Sequence, residues 1–482
     1  MLVVAAATLP SPLLPLPSVQ VRADDSPAAT AKSATNEGVV ATTSKAADDS
    51  PEFTPAIKNK LQNQVRQKAP EARAATLREL GRYVHVDAAR LILQYGLKDR
   101  SPQVAATAAE ALAPARQSRE IVDLLADELR QESTKRKKLS SDYPIRLAAV
   151  LADFRTVESL QKLLDVVGEV DPAVRLPLVE PILAMVDRAG ERRDVESLEA
   201  LAFLTTTGLY QRSHGVRKCV VDAARKLPDA RAIGLLVAQM QLVAGQLRYD
   251  IVEHVTKVTG QRFGEQPGEW LRWWERNGPA FKYPEDGVAP TPDGKPLTAE
   301  GGTPLFYYDL PIRAERIVFV LDTSKSMASG VAVSRMDAAK LELAKTISNL
   351  PPETQFNLVM FNSTTARWRD GLQFATPQAK KQAIDFVRVQ KPAGRTATYD
   401  ALQSAMSAGQ DVEAIYLLSD GAPTDGTIVA PAAILEAIRR QNFSRRLALY
   451  TLGACAGQTN VQFEEFLRRL ADQNFGQYRR ID

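Results

Sequence analysis

Asp322, Ser324 and Ser326 alternate within five residues, and a second aspartate, Asp420, stands far downstream in Ser419-Asp420-Gly421. Their oxygens are hard donors. A Mg²⁺-like ion takes about six such ligands at roughly 2.0 to 2.1 Å, usually with water among them. Alternate residues of the first loop can turn both hydroxyls toward one point, so the chemistry this spacing suits is the holding of a divalent cation. Nucleophilic catalysis fits less well. The histidines are His85, His214 and His254, all in the helical part of the chain and expected at helix surfaces or caps, which leaves Ser324 and Ser326 without an imidazole base. Neither His-Glu-x-x-His nor the phosphate-binding Gly-x-x-x-x-Gly-Lys-Ser/Thr occurs. Cys455, at the carboxyl end of a strand, has no base beside it and reads as a passive residue.

The elements that position these residues alternate in type. Ile317-Val318-Phe319-Val320-Leu321 is a continuous apolar run, as expected for a parallel strand buried on both faces, and it ends at Asp322. Ser334-Arg335-Met336-Asp337 offers a capping box, and Met336, Lys340, Leu343, Ile347 and Leu350 follow at helical spacing. Further strands are expected at Phe356 to Phe361, Ala414 to Leu418, Leu447 to Thr451 and Gly476 to Ile481, with an edge strand around Ala366-Arg367-Trp368. Strands alternating with helices require a mostly parallel sheet covered on both faces, and ligands of such sheets sit at the carboxyl ends of the strands. The polar residues fall there.

This part of the chain resembles the von Willebrand factor type A family and its metal-ion-dependent adhesion site, Asp-x-Ser-x-Ser followed by a distant Thr and a distant Asp. The matching residues are Asp322, Ser324 and Ser326, then Thr396 in Gly394-Arg395-Thr396-Ala397-Thr398, then Asp420 in Leu417-Leu418-Ser419-Asp420-Gly421. The resemblance implies a doubly wound, Rossmann-like α/β domain over 313–482. It implies that Ser324, Ser326 and Thr396 bind Mg²⁺ or Mn²⁺ directly or nearly so, with Asp322 and Asp420 acting partly through water. It also implies a protein partner whose acidic side chain completes the coordination sphere. Lys325 and Arg395 occupy positions where the family often has glycine. As a cationic rim beside the metal they weaken its binding modestly and attract that acidic group.

Upstream, 56–278 carries apolar positions at three- and four-residue intervals broken by short polar or Pro-containing segments, the pattern of an all-α region. Asp99-Arg100-Ser101-Pro102-Gln103-Val104, with Ala108, Ala111 and Leu112, resembles a HEAT repeat, and echoes follow near Ile145, Val174 and Val216. Val104 to Ile145 is 41 positions and Val174 to Val216 is 42, whereas Ile145 to Val174 is 29, so an irregular solenoid is expected. Such arrays present recognition surfaces and carry no chemistry themselves. Trp270, Trp273 and Trp274 share one helix face and read as a packed cap. The segment 279–312, rich in Pro and Gly, reads as a linker, and the two flanking domains are expected to fold separately.

The chain has 482 residues, 45% hydrophobic and 24% charged, which suits a soluble multidomain protein. Its 61 basic and 57 acidic side chains leave a net charge of +4, no general field for nucleic acid. The run Lys135 to Lys138 reads as a solvated loop. Residues 1–23 form an apolar start ending in Val21-Arg22-Ala23, expected to be a signal peptide, and 24–55 a disordered tether. Nothing later reaches the ~18 apolar residues of a membrane span. Export to an envelope or beyond is expected, with a cytoplasmic location as the alternative. Two other functions stay open: a metal-independent helical scaffold, and an accessory subunit of an ATPase- or chelatase-type machine.

Overall fold

The computed structural model describes residues 50–134, 138–139, 141–289, 305–330, 332–454 and 461–481. The leader and most of the tether (1–49), 135–137 of the basic run, 290–304 of the linker, and Cys455 lie outside them. Among the described residues no helix is long and apolar enough to cross a membrane.

The described chain from Pro55 to Asn277 is mostly helical. In the helix Pro102–Leu112 the small-residue stripe Val104, Ala108, Ala111 and Leu112 is buried, as its spacing predicts. Trp270 is fully buried and donates its Nε1–H to the Gly264 carbonyl at 2.8 Å, while Trp274 packs on Phe281 with ring centroids 5.5 Å apart. The tryptophans close the end of the helical region. His85 caps the helix Val86–Ile92, its Nδ1 accepting from the Asp87 N–H at 3.1 Å. His214 departs from the expected surface position: it is 7% exposed, and burial drives its imidazole pKa down to about 3. Part of the C-terminal domain covers the first turn of its helix, His214–Ala224, and local sequence carries no sign of that cover.

Among the described residues the C-terminal domain holds nine strands: β1 Leu305–Tyr307, β2 Leu310–Ile312, β3 Arg316–Asp322, β4 Gln355–Phe361, β5 Thr365–Arg367, β6 Gln373–Phe374, β7 Ala414–Ser419, β8 Ala448–Ala454 and β9 Tyr478–Ile481. β1 and β2 form a small antiparallel hairpin within the last residues of the segment read as a linker. It packs on the main sheet through Tyr307 against Phe319, centroids 5.3 Å apart, and through the Tyr416 hydroxyl, which donates to the Pro311 carbonyl at 2.9 Å. The main sheet runs β5-β4-β3-β7-β8-β9, with β6 also pairing β4. β4, β3, β7, β8 and β9 are mutually parallel, and β5 and β6 are antiparallel to β4.

Alternate residues of the central strands feed two cores. Ile317, Phe319 and Leu321 face the helices Arg335–Asn349 and Pro377–Arg388, whereas Val318 and Val320 face Thr398–Met406, Pro431–Asn442 and Val461–Asp472. Burial on both faces is why these strands read as unbroken apolar runs.

The helical region docks on the amino ends of the strands. Asp187 of the helix Pro172–Glu191 pairs with Arg446, two residues before β8. The Arg313 guanidinium lies 3.7 Å from the centroid of the Tyr249 ring, and His214 Nδ1 is 3.9 Å from Glu413 Oε1, just before β7. Gly215 meets the Ser444 and Arg445 backbone so closely that a Cβ there would collide with the Ser444 carbonyl. The seam therefore lies at the edge of the sheet opposite to Asp322 and Ser419. At about 3.3 Å per residue, a six-residue strand separates the two edges by about 20 Å.

Candidate metal centre

β3 delivers Asp322 at its carboxyl end, fully buried, and the chain then turns through the short 3₁₀ segment Lys325–Ala328. The Asp322 carboxylate accepts twice, from the Ser324 N–H at 2.8 Å and from the Ser419 hydroxyl at 2.6 Å. Ser419 ends β7, so this second bond ties two neighbouring strand ends together. Ser324 Oγ and Ser326 Oγ stand 3.0 Å apart, and Ser326 Oγ donates to Asp420 Oδ1 at 2.7 Å. Four sequence-predicted residues, Asp322, Ser324, Ser326 and Asp420, are thus joined in one polar chain with Ser419 as the added link.

Thr396, the fifth, is buried and held by its backbone. Its N–H donates to Thr424 Oγ1 at 3.1 Å, and its carbonyl accepts from the N–H groups of Thr424 at 2.9 Å and Asp425 at 3.2 Å. The Thr396 loop is stitched to the first loop by Ala393 N–H to the Thr323 carbonyl at 2.8 Å and Lys325 N–H to the Gly394 carbonyl at 3.3 Å. Among the described residues the Thr396 hydroxyl makes no hydrogen bond to the other four. Gly394 takes φ +67°, a left-handed conformation that favours glycine, and the Arg395 N–H that follows it donates to Ser363 Oγ at 3.0 Å. Lys325 and Arg395 are both exposed, in keeping with a rim.

Burial pushes the Asp322 pKa up to about 6, against the lowering effect of the Ser419 and Ser324 hydrogen bonds and with the nearby Asp420 charge adding to the rise. Two carboxylates close together and out of water favour a cation between them. The donor chemistry fits such an ion. All five groups are hard oxygens, and among the described residues no cluster of three or more His, Cys, Asp or Glu side chains offers a softer or more acidic alternative.

Two residues at the site were not singled out from sequence. Ser419, which follows the apolar run Ala414 to Leu418, enters the sequence reading only as the neighbour of Asp420 and with no role of its own. Arg335, read only as part of a capping box, extends its side chain to Asp420, Nη1 donating to Oδ2 at 2.9 Å. The capping itself is present, with Ser334 Oγ accepting from the Asp337 N–H at 3.0 Å. A cation in the first turn of a helix opposes the macrodipole, and that mismatch was the one sequence signal available.

Residues 315–480 match the family model described as von Willebrand factor type A domain. Human inter-alpha-trypsin inhibitor heavy chain H4 is 30% identical over 202 residues, 39% of this chain and 21% of that protein. The pig heavy chain H2 is 31% identical over 179 residues, covering 35% and 18%. The chain spans about a fifth of the length of the curated relatives it matches. Among solved structures, a von Willebrand factor type A protein from Catenulispora acidiphila is 22% identical with TM-score 0.30, covering 36% of this chain and 40% of that one. The manganese-loaded TRAP protein of Plasmodium vivax is 19% identical with TM-score 0.26, covering 34% and 68%.

Proposed function

Residues 315–480 being a von Willebrand factor type A domain, we propose that this protein is a non-enzymatic binding protein that captures a protein partner through a divalent cation held at Asp322, Ser324, Ser326, Thr396 and Asp420. The observation that carries the reading is the unbroken hydrogen-bonded chain Ser419–Asp322–Ser324–Ser326–Asp420, which gathers hard oxygens from the ends of two adjacent strands. When bound, Mg²⁺ or Mn²⁺ supplies a concentrated positive charge with a coordination position left for an incoming carboxylate. Ser324 and Ser326 turn their hydroxyls toward the shared point, Asp322 and Asp420 balance the charge, and Ser419 fixes the Asp322 rotamer. Lys325 and Arg395 attract the acidic partner side chain.

The helical region supports this role as a mount. It holds the opposite edge of the sheet, so the cation-bearing loops stay open to a large partner. The three histidines lie in the helical region, and His214 is spent in the seam, which leaves the two serines without an imidazole base. We read the protein as exported, with the apolar start as its leader.

The experiment is capture from a native cell-envelope extract on the immobilised full chain, in Mg²⁺ and in EDTA, with Asp420→Ala alongside. Proteins retained in Mg²⁺ and lost both in EDTA and on Asp420→Ala support the reading. Identical recovery in all three arms would leave a metal-independent scaffold.

A further inference from the structure

The buried carboxylate of Asp420 already has a cation. Its side chain is fully shielded from solvent, and the Arg335 guanidinium, 15% exposed, meets Oδ2 at 2.9 Å while Ser326 takes Oδ1 at 2.7 Å. A buried charge requires such a partner, and among the described residues Arg335 is the basic side chain in ion-pair contact with it. Two further observations show that Arg335 is held there for this contact. It is the first residue of the helix Arg335–Asn349, where a positive charge runs against the helix dipole. Its Nε–H is buried without a hydrogen-bond partner, so the side chain gives up part of its own bonding to reach the aspartate.

We propose that Arg335 is a resident counter-cation of Asp420, which holds the site together when no metal is bound and makes an incoming divalent ion share that carboxylate, so that it sets the metal affinity. This rests on the cation reading above. The charge count follows directly. Asp322 and Asp420 carry two negative charges and Arg335 one positive, so a bound divalent ion leaves the set with one net positive charge rather than none. The loaded site then seeks an anion from outside, and the metal-free site keeps a partial balance. Arg335 is a positioning residue: it fixes Asp420 with one oxygen turned to Ser326 and the metal-binding loop and the other turned away.

The test uses the full chain. In EDTA, Arg335→Gln is expected to lower the melting temperature by about 6 to 12 °C, the scale for a domain of this size in which a buried charge loses its partner. In the Asp420→Asn background, where the aspartate charge is gone, the same substitution should have little further effect. Calorimetric titration with Mn²⁺ should show Arg335→Gln binding about tenfold more tightly than wild type, with the charge-retaining Arg335→Lys close to wild type. An equal drop in melting temperature in both backgrounds overturns the counter-cation role, and Mn²⁺ binding by Arg335→Gln that is no tighter than wild type overturns the control of affinity. If no variant takes up Mn²⁺, the cation reading fails by itself. The melting comparison in EDTA then still decides for or against Arg335 as the partner of Asp420.

Discussion

Arg446 and Asp187 stand 259 positions apart in sequence and form a two-pronged ion pair across the seam between the helical region and the sheet, Nη1 meeting Oδ1 at 3.0 Å and Nη2 meeting Oδ2. The pair is lopsided. The Arg446 side chain is 7% exposed and that of Asp187 30%, and Asp187 also accepts from the Cys219 thiol at 3.4 Å. Removing the aspartate strands a buried guanidinium, at a cost of about 3 kcal/mol or more, whereas removing the arginine leaves a carboxylate that water can reach. Asp187→Ala should therefore lower the urea midpoint of the full chain clearly more than Arg446→Met, for which about 1 kcal/mol is expected. Equal losses, or the reverse order, would mean that the seam does not depend on this pair as described.

Metal should stabilise the domain by mass action. At ~100 times its dissociation constant, Mg²⁺ or Mn²⁺ adds about 2.7 kcal/mol to the folded state. The melting temperature of the wild-type chain should rise with the ion, and Asp322→Ala and Asp420→Ala should lose the rise. Asp385→Ala, on an exposed helix face where it pairs with Arg388, should keep it. A rise of the same size in Asp420→Ala would remove that residue from the metal site.

The same site makes metal binding depend on pH. Burial places Asp322 at about 6, above the roughly 3.9 of an exposed aspartate. Between those values the metal-free native state holds a proton that the unfolded chain has lost. The stabilisation from this group is thus present below about pH 4 and is lost as pH rises through 6. A cation needs the carboxylate ionised, so Mn²⁺ affinity should climb by about tenfold per unit as pH approaches 6 from below and level off above it. Calorimetric titration from pH 5 to 8 checks this, with Asp322→Asn expected to be weak and flat throughout. A wild-type slope that persists from pH 7 to 8 would assign the dependence to another group.

The exposed rim should act on the rate of encounter. Replacing Lys325 and Arg395 together by Gly should leave Mg²⁺ affinity unchanged or slightly improved, and slow partner capture most at low salt, where the Debye length exceeds about 10 Å. Surface-binding kinetics with a captured partner at two ionic strengths would read this. An association rate equally insensitive to salt in both proteins would dismiss steering by these two residues.

The sequence by itself determined the elements and brought forward four members of the polar cluster that forms the candidate site. The apolar runs at Ile317 to Leu321 and Ala414 to Leu418 are long, uninterrupted and bounded by polar residues, because strands buried on both faces cannot alternate, and so the doubly wound fold and the positions of Asp322 and Asp420 at its edge were legible. Helical periodicity likewise revealed the N-terminal region. Tertiary structure decided what depends on partners distant in the chain. The misplaced charge of Arg335 at a helix start hints at a partner but does not name it, and nothing near Ser419 announces its bond to Asp322, since the two contacts span 97 and 85 positions of sequence. His214 and Gly215 begin an ordinary amphipathic helix, and only docking makes the first buried and the second irreplaceable by a larger residue. The physical reason is the same in each case: a hydrophobic pattern records burial within an element, whereas a charge pair or a close backbone approach between elements leaves no periodic mark on either sequence segment.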